Sequence, residues 1–325
     1  MTTPTKWIEN KQAAIQKCIP PLTPHLHKGS SGRIGILGGS AQYTGAPYYA
    51  AMSALKVGAD LAFVFCAEEA SIPIKCYSPE LMVKSVYSTK EFDFSREEEK
   101  DGLINDMVSN VMDMMPRLHT LIIGPGLGRH PMVLEATSKI IKLTSEYNVS
   151  LVLDADALYL ISLPSYRPII QHALTNKMNA IVLTPNVVEY KRLFDGNESL
   201  DYLDGTIIIQ KGEFDTISYQ HNQNDKKSMI CAEQGGYKRS GGIGDVLAGV
   251  VGTLLAWNRI LESKQDQEIL LKNRILSCWT ACCITKKSTN VAFRIKKRSM
   301  TAPDIINEIG NVFDDMVTDS NQSHL

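Results

Sequence analysis

Short runs of branched apolar residues alternate along most of the chain with stretches whose apolar positions recur every three or four residues. RIGILGG (33–39), LAFVFC (61–66), LMVKSVY (81–87), TLIIGPGLG (120–128), VSLVLDADAL (149–158), NAIVLTPN (179–186) and GTIIIQKG (205–212) read as strands, most of them delivered into glycine-bearing or polar loops. Helical spacing covers Pro47 to Val57, Leu103 to Met115, Met132 to Tyr147, VVEYKRLF (187–194), Ile269 to Lys286 and Asp304 to Met316, with a helix from Glu68 to Tyr77 broken at Pro73. FDTISYQ and KSMICAE, either side of the polar stretch His221 to Lys227, read as an antiparallel hairpin. Residues 1–31 read as a polar lead-in punctuated by Pro20, Pro21 and Pro24, with a short helix from Trp7 to Cys18.

Strands that alternate with helices imply a mostly parallel sheet covered on both faces. The expectation is one α/β domain over residues 32–316, with a polar tail over 317–325. Ligands of such sheets bind beyond the carboxyl ends of the strands. That rule gathers Gly38-Gly39-Ser40, Gly124 to Gly128, Asp154-Ala155-Asp156, Thr184-Pro185-Asn186 and Gln210 to Asp215 on one edge.

The charge balance, 34 basic against 35 acidic side chains in 325 residues, gives no reason to expect a nucleic-acid or membrane-surface partner. The cluster Arg294, Lys296, Lys297 and Arg298 reads as a solvated face. Seven cysteines without a CxxC pair read as reduced core thiols, and no apolar run suggests a membrane span or a signal core. A cytoplasmic protein is the expectation.

The densest chemistry lies in GGYKRSGGIGDVLAGVVGTLLAW (235–257). Here a glycine-rich loop meets a helix with an apolar stripe, Val246, Leu247, Val250, Val251, Leu254 and Leu255. Glycines and unpaired first-turn amides suit an anion, whereas Asp245 suits a proton to be removed, so together they suggest phosphoryl transfer to a hydroxyl. On the loop alone, Asp245 as a helix N-cap is an equal reading. GGSAQYTGAP (38–47) lacks the GxGxxG spacing of a dinucleotide fold; it reads as a turn, or as a floor flanked by Tyr43 and Tyr48. Arg129 after GPGLG suits a phosphate, and Asp156 in DADAL suits helix capping. Asn186 and Glu189 fit a capping box, but Glu189 also suits hydrated Mg²⁺ beside phosphates, and Lys211-Gly212 puts a cation and bare backbone at a strand end.

In this order the motifs, together with YSPEL and QKGEFD, resemble the ATP-dependent NAD(P)H-hydrate dehydratases of the ribokinase-like superfamily, from about Gly32 to Ile309. The resemblance implies a three-layer α/β/α sandwich. It also implies that ATP phosphorylates the ring hydroxyl of the S form of hydrated NADH or NADPH, after which phosphate leaves. Asp245 would be the base, and the amides of Gly242 and Gly244 would steady the transferred group. Gly126, Asn186, Val187, Val188, Glu189, Tyr190, Lys191, Arg192 and Asp245 would contact the dinucleotide. Lys211, Gly212, Glu213, Phe214 and Asp215 would hold ATP, together with Gly235, Gly236, Tyr237, Lys238, Arg239, Ser240, Gly241, Gly242, Ile243 and Gly244. Glu189 would help to place Mg²⁺. Bulky Ile243 departs from the small residue many relatives carry between the last two glycines. Since no epimerase unit precedes Gly32, a separate epimerase is the expected functional partner, and a homo-oligomer is compatible with the resemblance. The alternative activity is a ribokinase-like kinase of a vitamin-precursor alcohol, which would leave a stable phosphate ester.

Overall fold

The computed structural model describes residues 2–176, 178–194, 201–220, 227–261 and 266–318. The chain runs β1 (Pro4–Thr5), α1 (Trp7–Cys18), β2 (Arg33–Leu37), α2 (Gly45–Val57), β3 (Leu61–Ala67), α3 (Glu68–Tyr77), β4 (Met82–Tyr87), α4 (Thr89–Phe94) and α5 (Glu97–Met112). Next come β5 (Thr120–Ile123), α6 (Pro131–Leu143), β6 (Ser150–Leu153), α7 (Asp156–Ser162), α8 (Pro168–Ala173), β7 (Ile181–Leu183), α9 (Val187–Phe194) and β8 (Ile207–Gln210). It closes with β9 (Asp215–Tyr219), β10 (Ser228–Cys231), α10 (Ile243–Leu261), α11 (Gln267–Lys296) and α12 (Ala302–Val317).

All ten strands join one sheet in the order β1-β10-β9-β8-β7-β6-β5-β2-β3-β4. From β8 to β4 every neighbouring pair is parallel, and β9 runs antiparallel to both β8 and β10. The central strands TLII, SLVL and IVL are buried on both faces, as continuous apolar runs require of a parallel sheet covered by helices. Of the polar stretch His221 to Lys227, residues 221–226 lie outside the described residues, as do 319–325 of the tail.

α10 is the interior helix. Its six predicted stripe residues are all buried, each contributing roughly 1.5–3 kcal/mol through removal from water. Gly249 lets α10 lie directly on α2, because a β-carbon there would run into the Ala50 carbonyl and stand 3.0 Å from Ser53 Cβ. At 19 residues α10 is, against expectation, long and apolar enough to cross a bilayer, but 72% of its apolar window is buried within the domain.

Other expectations change in detail. α3 runs unbroken through Pro73, whose missing N–H removes one helical bond while Ala70, Ser71 and Ile74 remain buried. α5 begins at Glu97, six residues before the first apolar signal, because acidic residues fill its first turn. α11 continues past Lys286 to Lys296. The first residues are built into the domain: β1 pairs with β10, Trp7 stacks on Trp279 at 6.1 Å, and the Trp7 amide donates to Glu233 at 2.8 Å. All seven cysteines are free thiols, six of them in the core, whereas Cys76 lies exposed near the end of α3; Arg294, Lys296, Lys297 and Arg298 are exposed.

Candidate active site

The five predicted loops follow β2, β5, β6, β7 and β8, which are parallel, so they meet on one edge. Between β2 and β5 the direction of winding reverses, and the two loops are stitched together there. Gly39 N donates to Pro125 O at 3.0 Å and to Gly126 O at 3.1 Å. Gly126 lies against Tyr43 and Ala46, and the buried Ser40 hydroxyl beside Gly128 has no partner among the described residues. Tyr43 is exposed, whereas Tyr48 packs edge-on against Tyr49 and Tyr77.

The charged centre lies at the ends of β6 and β8. Asp154, 2% exposed, accepts from Thr184 Oγ1 at 2.7 Å and from Lys211 Nζ at 2.9 Å. Lys211 is also 3.9 Å from Glu189. Burial works against the lysine charge, but Asp154 and Glu189 outweigh it and hold its pKa above the usual value. Burial pushes the Glu189 carboxyl up, with Lys211 the main opposing influence.

α10 brings Asp245 to this centre. Gly242, at φ 92°, ends the loop, and its carbonyl accepts from Val246 N at 2.9 Å. Any other residue there would be strained, and its β-carbon would stand 2.8 Å from Tyr49 Cδ2 and 2.7 Å from Ala302 Cβ. Ile243 takes the first helical position, so Asp245 is the third helical residue and does not serve as the N-cap. The Asp245 amide meets its own carboxylate, while a helix start leaves its remaining first-turn amides without backbone acceptors. A β-carbon on Gly244 would lie 3.2 Å from Lys211 Nζ and 3.8 Å from Asp154 Oδ2, so the helix start sits over the lysine–aspartate pair. Burial and then the charge of Asp154 push the Asp245 carboxyl up to about 7, with Lys211 pulling the other way. A carboxylate that titrates near neutrality can take and release a proton.

Beside it opens a cavity of about 610 Å³, lined by Lys211 to Glu213 and Asp215, by Gly236, Arg239, Ser240, Ile243 and Gly244, by Asn186 to Val188, and by one face of α11. Two larger hollows, about 790 and 640 Å³, lie away from Asp245, against α8 and α1 respectively, and have none of this chemistry. The Ser240 hydroxyl on the cavity wall is buried without a partner among the described residues. The loop's other residues spread out. Gly236 N donates to Thr289 Oγ1 at 3.1 Å, Tyr237 packs exposed against Phe293, and a β-carbon on Gly241 would meet only open space. Phe214 is half exposed, Tyr190 stacks on Phe194 at 4.1 Å, and Lys191 and Arg192 are exposed.

Two sequence readings of polar residues need restating. Asn186 and Glu189 do form the capping box: Asn186 Oδ1 accepts from Val188 N and Glu189 N, and Glu189 Oε2 accepts from Asn186 N at 2.8 Å. The same Glu189 still faces Lys211, so the structural and chemical readings hold together. Asp156 makes no cap. Ala155 precedes α7 at φ 46°, and Asp156 reaches back to Gly128 N and Arg129 Nε, each at 2.9 Å.

Lys286 was missed. Its ammonium donates to Gly212 O at 2.7 Å and Glu213 O at 2.8 Å and pairs with buried Asp215 at 3.3 Å, which fixes the turn after β8. The available signal was a lysine at the end of an apolar helical run, which reads equally well as the helix emerging into solvent.

A doubly covered sheet with an anion-ready helix start and a tunable carboxylate at its edge defines a nucleotide-handling α/β enzyme of ribokinase-like architecture. The fold matches a ribokinase-like superfamily protein from Enterococcus faecalis, with a TM-score of 0.63 at 19% identity and 94% of each chain covered. It also matches the ADP/ATP-dependent NAD(P)H-hydrate dehydratase of Bacillus subtilis co-crystallised with ATP and Mg²⁺, with a TM-score of 0.65 at 20% identity, covering 97% of this chain and 99% of that one. The family model for NAD(P)H-hydrate dehydratase matches residues 34–311, and the chain belongs to that family. Among its relatives, the ATP-dependent (S)-NAD(P)H-hydrate dehydratase of Aedes aegypti is 39% identical over 317 residues, which are 95% of this chain and 86% of the relative.

Proposed function

We propose that the chain restores NADH and NADPH from their (S)-hydrates at the expense of ATP. Within the molecule, the observation that carries this reading is Asp245, poised near neutrality in the first turn of α10 beside a roomy cavity. Hydroxide leaves poorly at neutral pH, whereas phosphate leaves well. Asp245 takes the proton of the ring hydroxyl as its oxygen attacks the γ-phosphorus of ATP, and ADP departs. The ring nitrogen then supplies electrons, the C–O bond breaks, phosphate leaves, and loss of a ring proton restores the double bond.

In this scheme the cavity bounded by Lys211 to Asp215, Gly235 to Gly244 and α11 receives ATP, with the Gly242 and Gly244 amides facing the transferred group. The side toward Gly126 and α9 receives the dinucleotide. Mg²⁺ would supply charge neutralisation to the phosphates. No three-ligand cluster exists among the described residues, so an all-protein cage does not fit, but one carboxylate, Glu189, suits an ion held mainly by water and phosphate. A separate epimerase converting the R form to the S form, and work in the cytoplasm, complete the proposal.

Incubation with hydrated NADH, ATP and Mg²⁺ tests it. ADP, inorganic phosphate and returning reduced-nicotinamide absorbance are expected in equal amounts. A stable phosphorylated product without NADH would instead indicate a small-molecule kinase.

A further inference from the structure

The glycine-rich loop is entered under restraint from the first residues of the chain. Cys231 pairs with Thr5 where β10 meets β1, Ala232 N donates to Thr5 O at 2.8 Å, and Glu233 Oε1 accepts from Trp7 N at 2.8 Å. Glu233 is 8% exposed, and its second oxygen meets Lys287 Nζ of α11 at 3.3 Å. One buried carboxylate therefore ties the loop's entry both to the start of α1 and to α11. A charged acceptor satisfied by a backbone N–H and an ammonium makes bonds stronger than neutral ones.

The effect of this tie falls on the cavity beside Asp245. Just past Glu233, Asn290 Nδ2 of α11 donates to Gly235 O at 3.5 Å, and Gly236 N donates to Thr289 Oγ1. Gly236 seats so closely on α11 that a β-carbon would stand 2.6 Å from Thr289 O. Gly236 and Thr289 both line the cavity, whereas Thr5, Trp7, Glu233 and Lys287 do not. Lys287 directly follows Lys286, which holds the Gly212 and Glu213 carbonyls on the neighbouring wall. From residue 232 to residue 242 the chain forms neither helix nor strand, so its path depends on how its two ends are held. Gly242 fixes the exit and Glu233 the entry. A wall ordered before its ligand arrives spares the ligand the cost of ordering it.

We propose that Glu233 is a positioning residue for ATP, which preorganises the Gly235 to Gly244 wall by locking its entry to α11 and to the first residues of the chain. The inference rests on the reading of this cavity as the ATP site. Calorimetric titration with ATP and Mg²⁺, without hydrate, of the parent, Glu233→Gln and Glu233→Ala tests it, beside amide hydrogen exchange and steady-state kinetics. Glu233→Ala is expected to weaken ATP binding about tenfold. Glu233→Gln keeps an acceptor for the Trp7 amide and loses only the ion pair, so a weakening of about threefold is expected. In both variants kcat should stay within about threefold of the parent and the hydrate KM should not move, while faster exchange is confined to the loop. A merely structural role would lower the thermal midpoint and speed exchange throughout β10 and α11 with ATP affinity unchanged. Unchanged ATP affinity in both variants, or an equal weakening toward the hydrate, overturns the proposal. Should Glu233→Ala fail to fold, unchanged affinity in Glu233→Gln overturns it alone. Failure of the unaltered protein to bind ATP would instead overturn the function proposed above.

Discussion

An aspartate in the first turn of a helix ordinarily gains from the dipole and stays acidic. Asp245 occupies that place and is nevertheless held up at about 7, because burial and the neighbouring charge of Asp154 outweigh Lys211. The unfolded chain would release this proton at about 3.9. The folded state therefore binds it more tightly, and the resulting stabilisation is present at low pH and lost as pH rises through about 7. The base proposed above works deprotonated, so on that reading kcat should climb with pH over the same range. Asp245→Asn should cut turnover by about 10²–10⁴-fold while ATP still binds. It should also raise the thermal midpoint at pH 8 by a few degrees, the gain shrinking toward pH 5. Near-parental turnover in that variant would show that some other group is the base. The sequence GGIGD marks Asp245 as special, but its tuning by Asp154 depends on β6 and α10 meeting, which no local pattern encodes.

Among the elements, α11 departs furthest from its sequence reading. Its apolar spacing marks a core helix and conceals that Thr285, Lys286 and Thr289 face the cavity. The strand-end loops were legible because glycines, prolines and charges interrupt apolar runs. A lysine on a helix gives no such contrast, and only its bonds to the Gly212 and Glu213 carbonyls reveal its work. Lys286→Met leaves Asp215 buried without its cation, at an expected cost of about 3–5 kcal/mol. Combining it with Asp215→Asn should recover much of that stability. If Lys286 shapes the turn for ATP, the double variant will keep a raised ATP KM with kcat little changed. Recovery of both stability and ATP affinity would reduce Lys286 to a structural counter-ion.

At the scale of the whole molecule, alternating strands and helices foretell the parallel sheet, whereas strand order and the place of the first residues follow from long-range packing. The pairing of β1 with β10, and the stacking of Trp7 on Trp279, join sequence regions that no periodicity connects. Trp7→Ala should lower stability by about 3–5 kcal/mol with kcat nearly unchanged, measured by denaturant unfolding beside turnover. A loss below about 1 kcal/mol would mean that α1 is only loosely held. Trp7 Nε1 also donates to Met316 O at 3.0 Å, so the first helix is fastened to the last. During synthesis α1 must therefore wait for the rest of the domain: β1 has no partner until β10 has been made, and the indole of Trp7 has no settled place until α11 and α12 have left the ribosome. The fold therefore closes only once its last helix has emerged.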